Sequence, residues 1–351
     1  MPTLKVKNSR KAIGKGHIVV FIAAGCAAVA AVVLARHDPW KNAKDDLPDS
    51  FQLQVPEYYV PAAEEIGYHE ELTIPVTNDR VHAIAVGMSG DIYVGGNDLI
   101  TVWDMTGNLL REWHVDGTTM ALAAAGDDDK TQVYVALEDR ILQCDGTGQI
   151  VGTLADGDGK AVFTCVVAGP DGVFAADAAH RVVYQWDADG TLRRTFSGTH
   201  ADDEPSGFVV PSPQFDCVVS DGMVHIVNPG KRQIESYSIS TGDLESVWGE
   251  TGSGKAGFFG CCNPSHLALL SDGRFVTSEK GISRIKVHDV AGQFVAFVAG
   301  AEQLDVKLGA TLDSQCCSNP CTFDVAVAND CIYVLDPFEK KVRVFVENGA
   351  Q

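Results

Sequence analysis

The stretch from Pro170 to Phe196 reads PDGVFAADAAHRVVYQWDADGTLRRTF. An Asp-Gly turn leads into an apolar strand, VFAAD, from Val173 to Asp177. A polar break ending at Arg181 separates it from an alternating strand, VVYQW, and the turn DADG then delivers a third strand. Glycine marks such turns because it reaches left-handed backbone without steric cost, and aspartate because its side chain bonds the turn's own backbone. Short runs rich in Val, Tyr, Phe and Trp between such signals are strands rather than helices.

Working outward, the unit recurs along the chain. Its second strand reappears as DIYVGG at Asp91, QVYVAL at Gln132, MVHIVN at Met223, RFVTSE at Arg274 and CIYVLD at Cys331. Its third strand reappears as LITVWDMTGNLL at Leu99, RILQCDGTGQIV at Arg140, QIESYSISTGDLESVW at Gln233, RIKVHDVAGQFVAFV at Arg284 and KVRVFVENG at Lys341. Six copies at spacings of about forty residues early and in the mid-fifties late fit four-stranded propeller blades with loop insertions on one face. No blade can bury both of its faces alone, so the copies must close into a ring. The last copy stops after its third strand, while YHEELTIPV, Tyr68 to Val76, stands alone ahead of the first. That strand is expected to complete the sixth blade and leave no open sheet edge.

The order of Asp-Gly turn, aromatic strand ending in an acid or Asn, Arg, alternating strand and Asp-x-x-Gly turn resembles NHL repeats. The resemblance covers roughly residue 68 to the carboxyl end and is best in the stretch above and in SDGRFVTSEKGISRIKVHDVAGQFVAFV, Ser271 to Val298. It departs in the second blade, at GDDDKTQ, and in the fourth, at NPGKRQ. It implies a six-bladed β-propeller, a fold used by scaffolds, ligand sensors and some metal-dependent lyases, and therefore no particular chemistry.

The amino end has a different character. Ile18 to Ala35 is an uncharged apolar run preceded by Lys5, Lys7, Arg10, Lys11 and Lys15. Its length suits one membrane-spanning helix, and its basic flank predicts a cytoplasmic amino end with the rest of the chain outside. A cleaved signal peptide and a lipoprotein anchor at Cys26 are the competing readings. All three export the propeller. The expected organisation is a basic cytoplasmic tail at 1–17, a signal-anchor at 18–36, a linker at 37–67 and an all-β six-bladed propeller at 68–351. The expected location is membrane-anchored and extracytoplasmic, on the periplasmic side if the source is bacterial.

Formal net charge is −20, but six of the 27 basic residues lie in the first 36 positions, which hold no acid. The remaining 21 face 47 acidic residues, a formal −26 that repels phosphate backbones and argues against nucleic acid as a partner.

Two cysteine pairs precede Asn-Pro steps, in GCCNPSHLALL from Gly260 and QCCSNPCTFDVAV from Gln315. Aligning Asn263-Pro264 with Asn319-Pro320 puts both pairs in connections that lead into the innermost strands of neighbouring blades, the fifth and sixth. Cys261, Cys262, Cys316, Cys317 and Cys321 are therefore expected to gather near one mouth of the central channel. Three chemistries are open to them: disulfides of an oxidising compartment, a metal ion or iron–sulfur cluster, and thiol–disulfide exchange. His266 and His82 are candidate nitrogen ligands. Cys165 and Cys217 occupy matching inner-strand positions and read as small core residues.

Glu279, Lys280, Arg284 and Lys286 form a candidate patch for an anionic ligand. Asp177, Glu279 and Asp336 at strand ends are candidate channel carboxylates, or turn caps. No phosphate loop, nucleophile elbow or HExxH helix is present. The expected function is a membrane-anchored binding or docking module of an envelope assembly with a protein partner. A metal-dependent lyase or hydrolase working in the channel is the alternative.

Overall fold

The computed structural model describes residues 59–126, 130–187, 189–198, 207–260, 262–306 and 322–349. Six four-stranded antiparallel sheets account for every strand of this region. Blade 1 is built from β2 (Val81–Val86), β3 (Ile92–Gly96), β4 (Leu99–Trp103) and β5 (Leu109–His114), and blade 2 from β6 (Thr119–Ala125), β7 (Gln132–Leu137), β8 (Arg140–Asp145) and β9 (Ile150–Asp156). Blade 3 holds β10 (Phe163–Gly169), β11 (Gly172–Asp177), β12 (Val182–Trp186) and β13 (Leu192–Phe196). Blade 4 holds β14 (Cys217–Ser220), β15 (Met223–Asn228), β16 (Gln233–Ser238) and β17 (Leu244–Trp248). Blade 5 follows with β18 (His266–Leu269), β19 (Phe275–Glu279), β20 (Arg284–His288) and β21 (Phe294–Ala299). Blade 6 combines β22 (Asp324–Ala328), β23 (Cys331–Asp336) and β24 (Lys341–Glu347) with β1 (Tyr68–Pro75).

The ring closes as the lone strand predicts. β1 runs antiparallel to β24, from Tyr68 opposite Glu347 to Pro75 opposite Lys341. Arg343 on β24 is 2% exposed and ties the closure together, bonding Asp305 and the Gln303 carbonyl after β21 and lying 3.4 Å from Glu70 of β1. Arg274 at the start of β19 grips Glu347 with two bonds of 2.9 Å, linking blade 5 to the end of β24.

Apolar burial follows the ring. The core divides into six clusters, each made by the facing sides of two neighbouring blades. Ala83, Tyr93, Leu122 and Val133 fill the wedge between blades 1 and 2, and Ile74, Val94, Tyr333 and Val342 the wedge between blades 6 and 1. The second strands are buried on both faces for this reason, which explains why most of them read as apolar runs.

The Asp-x-x-Gly turns have a packing role at the seams. Gly148 sits at φ +90°, and a β-carbon there would lie 2.4 Å from Trp113 on the outer strand of the preceding blade. Gly292 meets Trp248 in the same way, also at 2.4 Å. Blade 6 lacks this turn because the chain is interrupted there. Gly67 replaces it, packing where a β-carbon would fall 2.8 Å from Ala296 of β21, and accepting a hydrogen bond from the Asn348 amide.

The late copies are longer because of the connections between blades 3 and 4, 4 and 5, and 5 and 6, all of which lead into an innermost strand. Among the described residues no helix is long and apolar enough to cross a membrane. The expected anchor, Ile18 to Ala35, lies outside the described residues.

Candidate functional site

The innermost strands β2, β6, β10, β14, β18 and β22 surround a central channel whose cavity measures about 320 Å³. Most of the residues lining it carry aliphatic side chains, but the surface they present to it is largely polar. Polar side chains collect where the inner strands begin: Thr164, Asp216, His266 and Asp324. Each reaches across a seam. Thr164 Oγ1 donates to the Phe215 carbonyl at 2.7 Å, and Asp216 Oδ2 accepts from Leu267 N at 2.9 Å. Asp324 Oδ2 accepts from Ile84 N, also at 2.9 Å.

His266 lies between the two acids. Its Nδ1 is 3.2 Å from Asp324 Oδ1 and 3.5 Å from Asp216 Oδ2, and its Nε2 is 2.9 Å from Thr322 Oγ1. Burial pulls the imidazolium down, but the carboxylates of Asp324 and Asp216 outweigh it and hold its pKa above the ordinary value. Burial pushes the Asp324 carboxyl up to about 6, against the opposing pull of His266. The three side chains thus form one cluster at the channel mouth.

The His266–Thr322 bond also brings together the ends of the two cysteine-bearing connections. Cys262 precedes His266 by four residues and Cys321 directly precedes Thr322. Cys262 is buried, at 1% exposed, while Cys261, Cys316, Cys317 and Cys321 lie outside the described residues. His82 lines the same mouth with Met120, Thr164, Gln214 and Thr322. Burial lowers its pKa, and its Nδ1 is buried without a hydrogen-bond partner. Among the described residues no three His, Cys, Asp or Glu side chains are placed to hold a metal ion together.

The patch expected at Glu279, Lys280, Arg284 and Lys286 is not on the surface. All four are buried, between 0% and 5% exposed. The Gly-rich connection after β17 folds back over β20, and its carbonyls receive the cations. Arg284 donates to Gly254 and Gly257, and Lys286 to Lys255, Ala256 and Gly257. Glu279 completes the network with ion pairs of 2.8 Å to each cation. These groups scaffold the first cysteine-bearing connection instead. Glu279 also accepts from Phe259 N, and Lys280 N donates to the Asn263 side chain at 2.8 Å. Lys280 Nζ reaches Ser212 and Gln214. Asn263 of the Asn-Pro step is thereby locked, its amide reaching the carbonyls of Phe259 and Lys280.

The other candidate carboxylates are turn caps. Asp177 accepts from the amides of Val162, Ala179 and His180, and Asp336 from those of Phe338 and Glu339. Neither they nor Glu279 line the channel, because they end second strands, one layer out. Sequence reasoning passed over the two acids that do line it. Their signal is the repeated Phe-Asp of QFDCVV and TFDVAV, each at the entry to an innermost strand.

No protein family matches the chain, and no curated protein does. The NHL resemblance therefore rests on its repeat residues alone. Solved structures do match. The WD40 β-propeller domain of Doa1 aligns with 81% of this chain and 98% of its own length, at 15% identity and a TM-score of 0.50. A protein of unknown function from Bacteroides caccae aligns with 65% of this chain and 85% of its own, at 12% identity and a TM-score of 0.48. At such identities the first likeness supports the β-propeller fold and nothing beyond it.

Proposed function

We propose that this chain is a binding module held on the outer side of a membrane by the segment from Ile18 to Ala35, and that it docks a protein partner of the cell envelope. The docking face is the channel end where the two cysteine-bearing connections arrive. The observation that carries this reading is the His266–Thr322 bond at 2.9 Å, which joins the starts of β18 and β22 beside the channel mouth. It supports a common face for Cys261, Cys262, Cys316, Cys317 and Cys321, as disulfides, metal ligands or a relay. The locked Asn263 adds to this, since a rigid frame presents a loop in one conformation and lowers the ordering cost of binding.

The test uses the full chain in its native membrane with a photo-crosslinking residue at exposed Glu339, on the proposed face, or at exposed Thr147, in a turn at the opposite end. A discrete cross-linked protein product from Glu339 and none from Thr147 is expected. Equal products from both positions, or from Thr147 alone, would overturn the assignment of the face. Protease added from outside should cut the propeller while the residues before Ile18 stay protected; the reverse pattern would overturn the orientation.

A further inference from the structure

Cys165 pairs with Ala176 in blade 3 and Cys217 with Ile226 in blade 4, positions one step apart in register, so the two side chains turn toward the same seam from its opposite sides. Their sulfurs are 3.7 Å apart, and Cys165 Sγ is 3.4 Å from the Cys217 carbonyl oxygen. Both residues line the channel, although they are only 5% and 1% exposed. Beside them Thr164 Oγ1 bonds the Phe215 carbonyl across the 3/4 seam, and at the outer side of the same seam Arg194 bonds the Ser240 and Thr241 carbonyls. The two thiols therefore face each other across the seam, beside a cavity of about 320 Å³ that admits small molecules.

We infer that Cys165 and Cys217 are a redox pair that closes into a disulfide across the seam between blades 3 and 4 when a small disulfide oxidant enters the channel. The step is an exchange. One cysteine, as thiolate, attacks a sulfur of the oxidant, expelling one small thiol and leaving a mixed disulfide. The second cysteine then attacks the protein-side sulfur, forms the Sγ–Sγ bond and expels the other small thiol. Two electrons and two protons leave the pair, and one oxidant disulfide becomes two thiols. The sulfurs must approach from 3.7 Å to about 2 Å, a side-chain movement. The hydrogen bond to Cys217, burial and the nearby Asp216 carboxylate hold the Cys165 thiol well above its ordinary pKa. The reduced pair is accordingly stable, and closure is slow in neutral solution.

Closure links positions 52 residues apart, which by chain entropy raises the folding equilibrium constant on the order of a thousandfold. It also fixes the spacing of β10 and β14 and so the width of the channel there. The proposal is independent of the docking reading, because these cysteines belong to neither of the two connections.

The experiment treats the full chain, in mild detergent and under native conditions, with 2-hydroxyethyl disulfide at about pH 8.5. Acid quenching, alkylation and peptide mapping follow. Mapping assigns each bond by position, so the other cysteines do not confuse the result. The expected product is a peptide pair joined through Cys165 and Cys217, with an unfolding midpoint that falls when the bond is reduced. Cys217→Ser should leave Cys165 as a stable mixed disulfide with the reagent. Recovery of both as free thiols that alkylate only after denaturation would overturn the proposal, as would mixed disulfides at both positions in the unsubstituted chain.

Discussion

His266, His225 and His288 have the same side chain and three different environments. His266 lies between Asp216 and Asp324, which hold its pKa above the ordinary value. Burial lowers His225 to about 4 and His288 to about 3, the latter with Lys286 adding to the effect. An NMR titration of the histidine rings is expected to show His266 titrating above about 6.5, while the other two stay neutral until strongly acidic pH. The stability consequences have opposite signs. The raised His266 contributes fully below its unfolded pKa of about 6.5 and loses that contribution as pH rises through its folded value. The lowered His225 and His288 contribute above about 6.5 and lose their contributions as pH falls toward about 4 and about 3. Asp324, raised to about 6, behaves like His266, favouring the fold below about 3.9 and losing that effect as pH rises through its folded value. Replacing Asp324 with Asn should move the His266 titration to lower pH; an unchanged His266 would mean that the carboxylate does not set its charge. The candidate status of His266 and His82 was legible from their place at the start of inner strands. Their partners were not, because Asp216 and Asp324 are 50 and 58 positions away from His266 in sequence.

At the scale of the element, blade 5 shows what local pattern leaves open. The run SEKGISRIK has the composition of an exposed charged edge, yet β20 carries Arg284 and Lys286 with no exposed side-chain surface. The covering loop is remote in sequence and its useful groups are backbone carbonyls, which any sequence possesses. Burying charges stabilises little in itself, but removing one partner strands the others. Glu279→Gln leaves two buried cations short of a carboxylate and should cost about 3–5 kcal/mol in chemical unfolding. A loss within about 0.5 kcal/mol, the range of ordinary surface substitutions, would mean that the loop carbonyls alone satisfy Arg284 and Lys286. The repeating strands, by contrast, were readable in place, because each is bounded by its own turn residues and filled with its own apolar side chains.

At the scale of the whole molecule, stability comes from six seams, and the sixth depends on a strand from the other end of the chain. Deleting Tyr68–Pro75 removes a strand that is paired along its length with β24 and takes Ile74 from the core between blades 6 and 1. The expected outcome is loss of a single cooperative transition in denaturant, with blade 6 opening first in hydrogen exchange at β24. An unchanged transition would show that blades 1 to 6 hold the ring without the closing strand.

The sequence by itself determined the repeat, its six copies, the ring and the strand that closes it. Those follow from turn chemistry and the two-residue period of half-buried strands, which act over neighbouring positions, and from the fact that no blade is stable alone. Only the tertiary structure decided which charges face solvent and which face the channel. It turned an expected surface patch into the frame beneath a cysteine-bearing connection, set His266 between two acids from other blades, and brought Cys165 within 3.7 Å of Cys217. Side-chain ionisation and thiol chemistry depend on neighbours within a few ångströms, and in a ring those neighbours come from the next blade, some fifty residues along the chain.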